Sequence, residues 1–285
     1  MCPITSVHAL NPLPRQLDRI ITQQIMPKIN REPYAEQATF LLPEKAVQIW
    51  VLHDWAAEET NQVLGHVLSQ DERQRAVSYR HIKHQSSFIY RRCVLRCLIG
   101  HYLGYKAESL LFELNPFGKP ALRSPYAPGF EFSISQTDGL AVLAFAWDCR
   151  VGVDVEKLAS DVDIHGVGQA VFSDQEQAAV NASTHDASSA FFTVWTRKEA
   201  LLKAVGTGLS GQPGDYITQD EAQHGRNQWR ASHKGVPLPG WTFLDLELAP
   251  RVKCALAVSR DDVQVSLRHF TVSDFRTSND CIEVT

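Results

Sequence analysis

The chain has no uninterrupted apolar run of about eighteen residues, the length that would read as a membrane-crossing helix. Residues 1–14 lack the basic-then-apolar order of a secretory signal. Glycine and proline are sparse, 16 and 14 among 285 residues, which excludes collagen-like and low-complexity readings. Cysteines number six and are scattered, so they form no disulfide framework and fit a reducing cytoplasm. There is no excess of positive charge. With 28 basic and 32 acidic residues the net charge is -4, which argues against a globally basic nucleic-acid binder. No Walker-type phosphate loop and no Gly-x-Ser-x-Gly elbow occurs. What is present is ordinary globular material, 44% hydrophobic and 21% charged, enough for one large or about two smaller domains.

The apolar pattern gives an α+β order with clustered strands. Lys45 to Leu52 reads as a strand, as do Phe130 to Ser135, Leu140 to Trp147 and Val151 to Glu156. Short connections between the last three predict an antiparallel meander. Later strands are expected over Thr242–Leu248, Lys253–Ser259 and Val265–Phe270. Ser69 with Glu72, and Ser173 with Glu176, are capping-box pairs that open helices. Helical spacing continues over Ser86–Leu103 and Ala190–Val205, each closed by a glycine, Gly104 and Gly206. Residues 1–44 carry six prolines and little period and read as an extension.

Three segments carry chemistry. In Val151-Gly152-Val153-Asp154-Val155-Glu156 the valines share one strand face, while Gly152, Asp154 and Glu156 share the other. The two carboxylates then start ~7 Å apart and can converge on one hard cation such as magnesium. An ordinary solvated strand face has the same pattern. On the second long helix Glu199 and Lys203 stand four apart. They form either a surface ion pair or a metal-ligating, proton-accepting glutamate, with Lys198 and Lys203 facing phosphates. Between Arg73 and Arg96 lie seven basic residues and no acid, among them Arg80, Lys83, Arg91 and Arg92. That stretch suits a multiply phosphorylated small ligand, a nucleic-acid patch, an acidic protein, or plain solvent.

Two further patterns fail on context. Gly206-x-Gly208-x-x-Gly211 matches a dinucleotide fingerprint but follows a helix, where a strand is required. A nicotinamide-dependent oxidoreductase would rest on it alone. Cys93, Cys97 and His101 form a helical stripe without a fourth zinc ligand nearby.

Taken in order, Phe117-Gly118-Lys119-Pro120, Phe132-Ser133-Ile134-Ser135-Gln136-Thr137, Gly152-Val153-Asp154-Val155-Glu156, Phe172-Ser173-x-x-Glu176 and Trp195-x-x-Lys198-Glu199-Ala200-x-x-Lys203 resemble the Sfp-type 4'-phosphopantetheinyl transferases. The resemblance covers residues 115–210 clearly and 70–105 more loosely. It implies a cytoplasmic monomer of two similar, pseudo-symmetric α+β halves with antiparallel sheets and the site between them. The division would be 1–44 as N-terminal extension, 45–150 as the half binding coenzyme A, and 151–285 as the half with metal and catalytic residues. The implied reaction moves the phosphopantetheine arm of coenzyme A to a serine of an acidic apo acyl or peptidyl carrier protein, releasing 3',5'-ADP.

On matching positions, the resemblance makes Asp154, Glu156 and Glu199 the magnesium ligands. Glu199, Lys203 and Glu176 become the catalytic set, although the capping box explains Glu176 equally well. Lys119, Ser135 and Gln136 would bind coenzyme A, with Arg80, Lys83, Arg91 or Arg92 on its 3'-phosphate. Gln136 replaces a histidine common in the family, and Ser87 stands where an arginine is usual. A catalytically idle module that binds coenzyme A or the carrier is the alternative. Neither a nucleic acid nor a membrane is an expected partner.

Overall fold

The computed structural model describes residues 41–53, 61–62, 65–123, 128–159, 162–183, 186–220 and 227–270. Nearly all of the expected N-terminal extension lies outside them. The strands are β1 (Ala46–His53), β2 (Phe112–Leu114), β3 (Pro120–Leu122), β4 (Phe130–Thr137), β5 (Leu140–Trp147), β6 (Val151–Lys157), β7 (Tyr216–Asp220), β8 (Trp229–His233), β9 (Val236–Pro237), β10 (Thr242–Asp245), β11 (Val252–Val258) and β12 (Gln264–His269). The helices are α1 (Gln70–Val77), α2 (Ile82–Leu103), α3 (Ile164–Val171), α4 (Asp174–Ala182) and α5 (Ala187–Val205).

The architecture follows from which strands are apolar on both faces. β5 is the clearest case. Its Ala141, Leu143 and Phe145 face one core, built with Cys93, Val94 and Leu98 of α2. Its Leu140, Val142, Ala144 and Ala146 face a second core, shared with Val151, Val153 and Val155 of β6 and Leu256 and Val258 of β11. Two sheets therefore stack, in the orders β12-β1-β5-β4 and β10-β11-β6. The long helix α2 covers the outer face of the first sheet. α5 covers the second through Ala200, Leu201 and Ala204, packed on Ala255 and Ala257. The fold is α+β with mainly antiparallel pairing, as expected. Among the described strands only β12 on β1 runs parallel.

Both capping boxes form. Ser69 and Ser173 each accept the amide of the glutamate three residues on, and each glutamate reaches back to the cap. Both long helices end on a left-handed glycine, Gly104 at φ 68° and Gly206 at φ 87°. Cys93 and Cys97 are packed inside the first core as small apolar groups.

The expected meander is not what forms. β4 and β5 make a hairpin, but β6 leaves that sheet and pairs with β11. The physical reason is visible in the seam between β4 and β6. Ser133, Ser135 and Thr137 turn their hydroxyls towards β6 and accept the amides of Val153, Val155 and Lys157 at 3.1, 3.2 and 3.1 Å. Side-chain oxygens thus replace backbone carbonyls, and the two sheets meet along a hydroxyl ladder. β10 is also shorter than expected, because the chain turns at Ala249-Pro250-Arg251 before Leu248 can pair. The small β7-β8-β9 sheet had no expectation attached to it.

Candidate active site

Gly152 is the structural reason that the chemically loaded segments meet. A Cβ there would lie 2.0 Å from the carbonyl oxygen of Ala200 and 2.4 Å from the amide nitrogen of Ala204. The backbone of α5 therefore lies directly on β6. That contact lowers Glu199 and Lys203 onto the strand face carrying Asp154. Lys203 Nζ donates to Asp154 Oδ1 at 2.6 Å and to Ser135 Oγ at 2.9 Å. Ser135 Oγ donates in turn to Asp154 Oδ1 at 2.7 Å.

The acids here outnumber the base beside them. Asp154 Oδ2 and Glu199 Oε1 are buried without a hydrogen-bond partner. Burial, reinforced by the charge of Asp154, raises the Glu199 carboxyl above its usual range, with Lys203 opposing. The same two causes push Glu156 up to about 7, although Lys203, Thr137 and Trp195 pull the other way. Among the described residues no three His, Cys, Asp or Glu side chains stand in a ready-made ligand set. The donor chemistry nonetheless suits a hard divalent cation: several carboxylates, two of them with idle buried oxygens and two with raised affinity for a proton.

Beside these groups is a cavity of about 210 Å³ whose wall includes Lys119, Ile134, Glu199 and Lys203. Lys119 is presented by a turn that Asn115 organises. Asn115 Oδ1 accepts from the amides of Phe117 and Lys119, both at 2.9 Å, while its Nδ2 donates to Gly206 O at 2.8 Å. The turn is thereby tied to the end of α5. Sequence reasoning missed Asn115, although an asparagine opening a turn of this composition is a known signal for a local side-chain cap. Lys119 Nζ lies 3.1 Å from Glu131 Oε2. A larger cavity of about 610 Å³, walled in part by Thr193, Asp245 and Lys253, contains none of the expected site residues.

Lys119, Ser135, Asp154, Glu199 and Lys203 thus gather at the seam, with Glu156 next along β6. Gln136 is exposed at the end of β4. Lys83, at the start of α2, reaches Asp138 in the β4–β5 turn at 2.6 Å. That contact brings the exposed front of the basic stretch, Arg80 included, to the same end of β4.

Other residues are committed elsewhere. Arg92 and Arg96 both bind Glu72, the latter at 2.6 Å, locking α1 to α2. Arg91 is half-buried on α2. Glu176 is buried and accepts from Ser173, from Thr218 N at 2.8 Å and from Thr218 Oγ1 at 2.9 Å. It also pairs with Lys198 at 2.8 Å. Lys198, 0% exposed, donates its remaining hydrogens to the carbonyls of Pro213 and Tyr216. The expectation that Lys198 faces phosphates is therefore corrected. A helix turns about 100° per residue, so neighbours such as Lys198 and Glu199 point in different directions.

Residues 150–257, from the start of β6 to the end of β11, match the model of the 4'-phosphopantetheinyl transferase superfamily. The chain is related to the 4'-phosphopantetheinyl transferases. The transferase HetI of a Nostoc species is 29% identical over 215 residues, spanning 75% of this chain and 86% of the relative. The transferase gsp of Aneurinibacillus migulanus is 26% identical over 227 residues, spanning 74% and 89%. An L-aminoadipate-semialdehyde dehydrogenase-phosphopantetheinyl transferase of Schizosaccharomyces pombe is 27% identical over 177 residues, spanning 57% and 68%. The superfamily match includes Asp154, Glu156, Glu199 and Lys203 but stops short of Lys119, Ser135 and the basic stretch.

Proposed function

We propose that this protein is a 4'-phosphopantetheinyl transferase that moves the arm of coenzyme A onto a serine of an apo acyl or peptidyl carrier protein. The observation that carries the reading is the meeting of Asp154, Glu199 and Lys203 beside a cavity, with one idle buried oxygen on each acid. A structural ion pair would leave no such oxygens, because an unsatisfied buried acceptor costs about 1–3 kcal/mol. A site built to receive a ligand leaves them open.

Asp154, Glu156 and Glu199 would hold magnesium. When bound, it would neutralise the diphosphate of coenzyme A and act as a Lewis acid on its oxygens. The chain's own groups do the rest. Glu199, whose proton affinity is raised by burial and by the charge of Asp154, accepts the proton of the carrier's serine hydroxyl. The serine oxygen bonds to the phosphorus bearing the pantetheine arm. The bond from that phosphorus to the bridging oxygen breaks, and 3',5'-ADP leaves. Lys203 compensates the charge gathering on the leaving oxygen, and Lys119, which lines the same cavity, orients the diphosphate. In this reading Lys83 and Arg80, at the exposed end of β4, meet the 3'-phosphate, and Gln136 donates there as a neutral group. Glu176 holds α4, α5 and β7 together, which supports a structural part for it.

Among the described residues no helix is long and apolar enough to cross a membrane. We read the protein as a cytoplasmic monomer whose first half runs to about residue 150. The test is mass spectrometry of an apo carrier incubated with coenzyme A, magnesium and the protein. The expected result is a carrier heavier by one phosphopantetheine. A carrier left unmodified while coenzyme A still binds would instead identify an idle binding module.

A further inference from the structure

The glycine pair Gly206-x-Gly208, which fails as a dinucleotide fingerprint, faces the turn that carries Lys119. A Cβ on Gly206 would lie 3.3 Å from Asn115 Nδ2 and 3.8 Å from the Lys119 side chain, and one on Gly208 would lie 3.9 Å from the carbonyl oxygen of Phe117. The turn therefore rests against the end of α5. The hairpin that carries it belongs to neither large sheet, because among the described strands β2 and β3 pair only with each other. An isolated two-stranded hairpin is marginal in water. Phe112 and Leu122 anchor its base in the first core. Its tip is fastened to α5 by Asn115, whose Nδ2 donates to Gly206 O at 2.8 Å while Oδ1 accepts from the amides of Phe117 and Lys119.

We propose that Asn115 is a positioning residue: its amide straps the turn bearing Lys119 to the helix bearing Glu199 and Lys203, and so fixes the lysine relative to both. This rests on the transferase reading of the site, in which Asn115 has had no part. The partners dictate which way the amide points. Oδ1 faces two N–H groups and Nδ2 faces a carbonyl, and the reverse would set donor against donor and acceptor against acceptor. α5 is already seated on β6 through its contact with Gly152. The turn is therefore the member that shifts when the strap is cut. Lys119 Nζ, 3.1 Å from Glu131 Oε2 and 3.4 Å from Val151 O, is where the shift is felt. Two substitutions separate folding of the turn from its attachment. Serine is neutral and still accepts amides within a turn, but its shorter side chain stops short of Gly206 O. Alanine loses all three bonds.

The experiment compares the parent protein with Asn115→Ser, Asn115→Ala, Lys119→Ala and the double variant Asn115→Ser/Lys119→Ala. Calorimetry reads coenzyme A affinity, steady-state kinetics on a carrier reads kcat/KM, and limiting acylation with peptide mapping reads the exposure of Lys119. Strapping predicts that Asn115→Ser melts within about three degrees of the parent yet loses about tenfold in coenzyme A affinity and in kcat/KM. Its Lys119 should be acylated at least about threefold faster, and Asn115→Ala should be affected no less. In the Lys119→Ala background the serine substitution should cost under about twofold, because it acts through the lysine that is gone. A purely local turn cap predicts a parental Asn115→Ser and an impaired Asn115→Ala. That pattern, or the same tenfold loss with and without Lys119, would overturn the assignment. Should the parent neither bind coenzyme A nor modify a carrier, the transferase reading fails by itself. Lys119 labelling then decides the strap alone, and unchanged labelling in Asn115→Ser overturns it.

Discussion

The carbonyl oxygen of Ala200 occupies the space where a side chain on Gly152 would begin, 2.0 Å from that position. This single approach sets the height of α5 above β6 and therefore the reach of Lys203 to Asp154. Gly152→Ala should push the helix outward. The expected outcome is a loss of about 1–3 kcal/mol of stability, read by urea unfolding. In the folded variant carrier modification should fall by far more than coenzyme A binding. A variant with parental stability and rate would show that the helix contact does not set the site.

Glu176 and Lys198 provide a second test. Lys198 is wholly buried, and burial draws its ammonium below the ordinary lysine range while Glu176 opposes that pull. Glu176→Ala should leave a buried, uncompensated charge and cost about 3–5 kcal/mol in chemical denaturation. Transfer per folded molecule should persist. Inactivity in a fully folded Glu176→Ala protein would return Glu176 to the catalytic set.

Isosteric changes in the acid cluster should separate activity from stability in the opposite sense. Asp154→Asn and Glu199→Gln keep shape but remove charge that is desolvated and mutually repulsive. Each is expected to lower transfer by at least about a hundredfold, measured on carrier by mass spectrometry. In magnesium-free buffer the melting temperature of Glu199→Gln should hold or rise, whereas that of Asp154→Asn, which removes the partner of Lys203, should fall. Near-parental transfer in either variant would remove that carboxylate from the mechanism.

Glu156 gives the pH dependence. Its folded value of about 7 lies above its unfolded value near 4.5, so between these limits the folded chain holds more protons. Stability contributed by this group is present below pH ~4.5 and is lost as pH rises through ~7. Magnesium should offset that loss. Thermal melts are expected to show a larger magnesium-induced rise at pH 8 than at pH 5. An equal rise at both values would exclude the carboxylates as the cation's ligands.

The element types were legible because the signals are local. Two capping boxes, two glycine stops and the alternation in β6 each act over a few residues, and each forms. The bringing together of Lys119, Ser135, Asp154, Glu199 and Lys203 was also legible, through motifs spread along the chain. What escaped was decided by partners distant in sequence. A three-residue turn after β5 looks like a hairpin link, yet Ser133, Ser135 and Thr137 divert β6 into another sheet. Lys198 looks like its neighbour Glu199 until the helix phase and the burial of Glu176 are known. Arg92 looks like a phosphate ligand until Glu72, twenty residues earlier, is found against it.

The parallel pairing of β12 with β1 joins the last described strand to the first, residue 46 lying opposite residue 264. During synthesis β1 therefore emerges long before the neighbour that covers its open edge. The first sheet cannot be completed until almost all of the second has been made. Until β12 is made, β1 would keep one edge open to strands of other chains, its other edge being paired with β5.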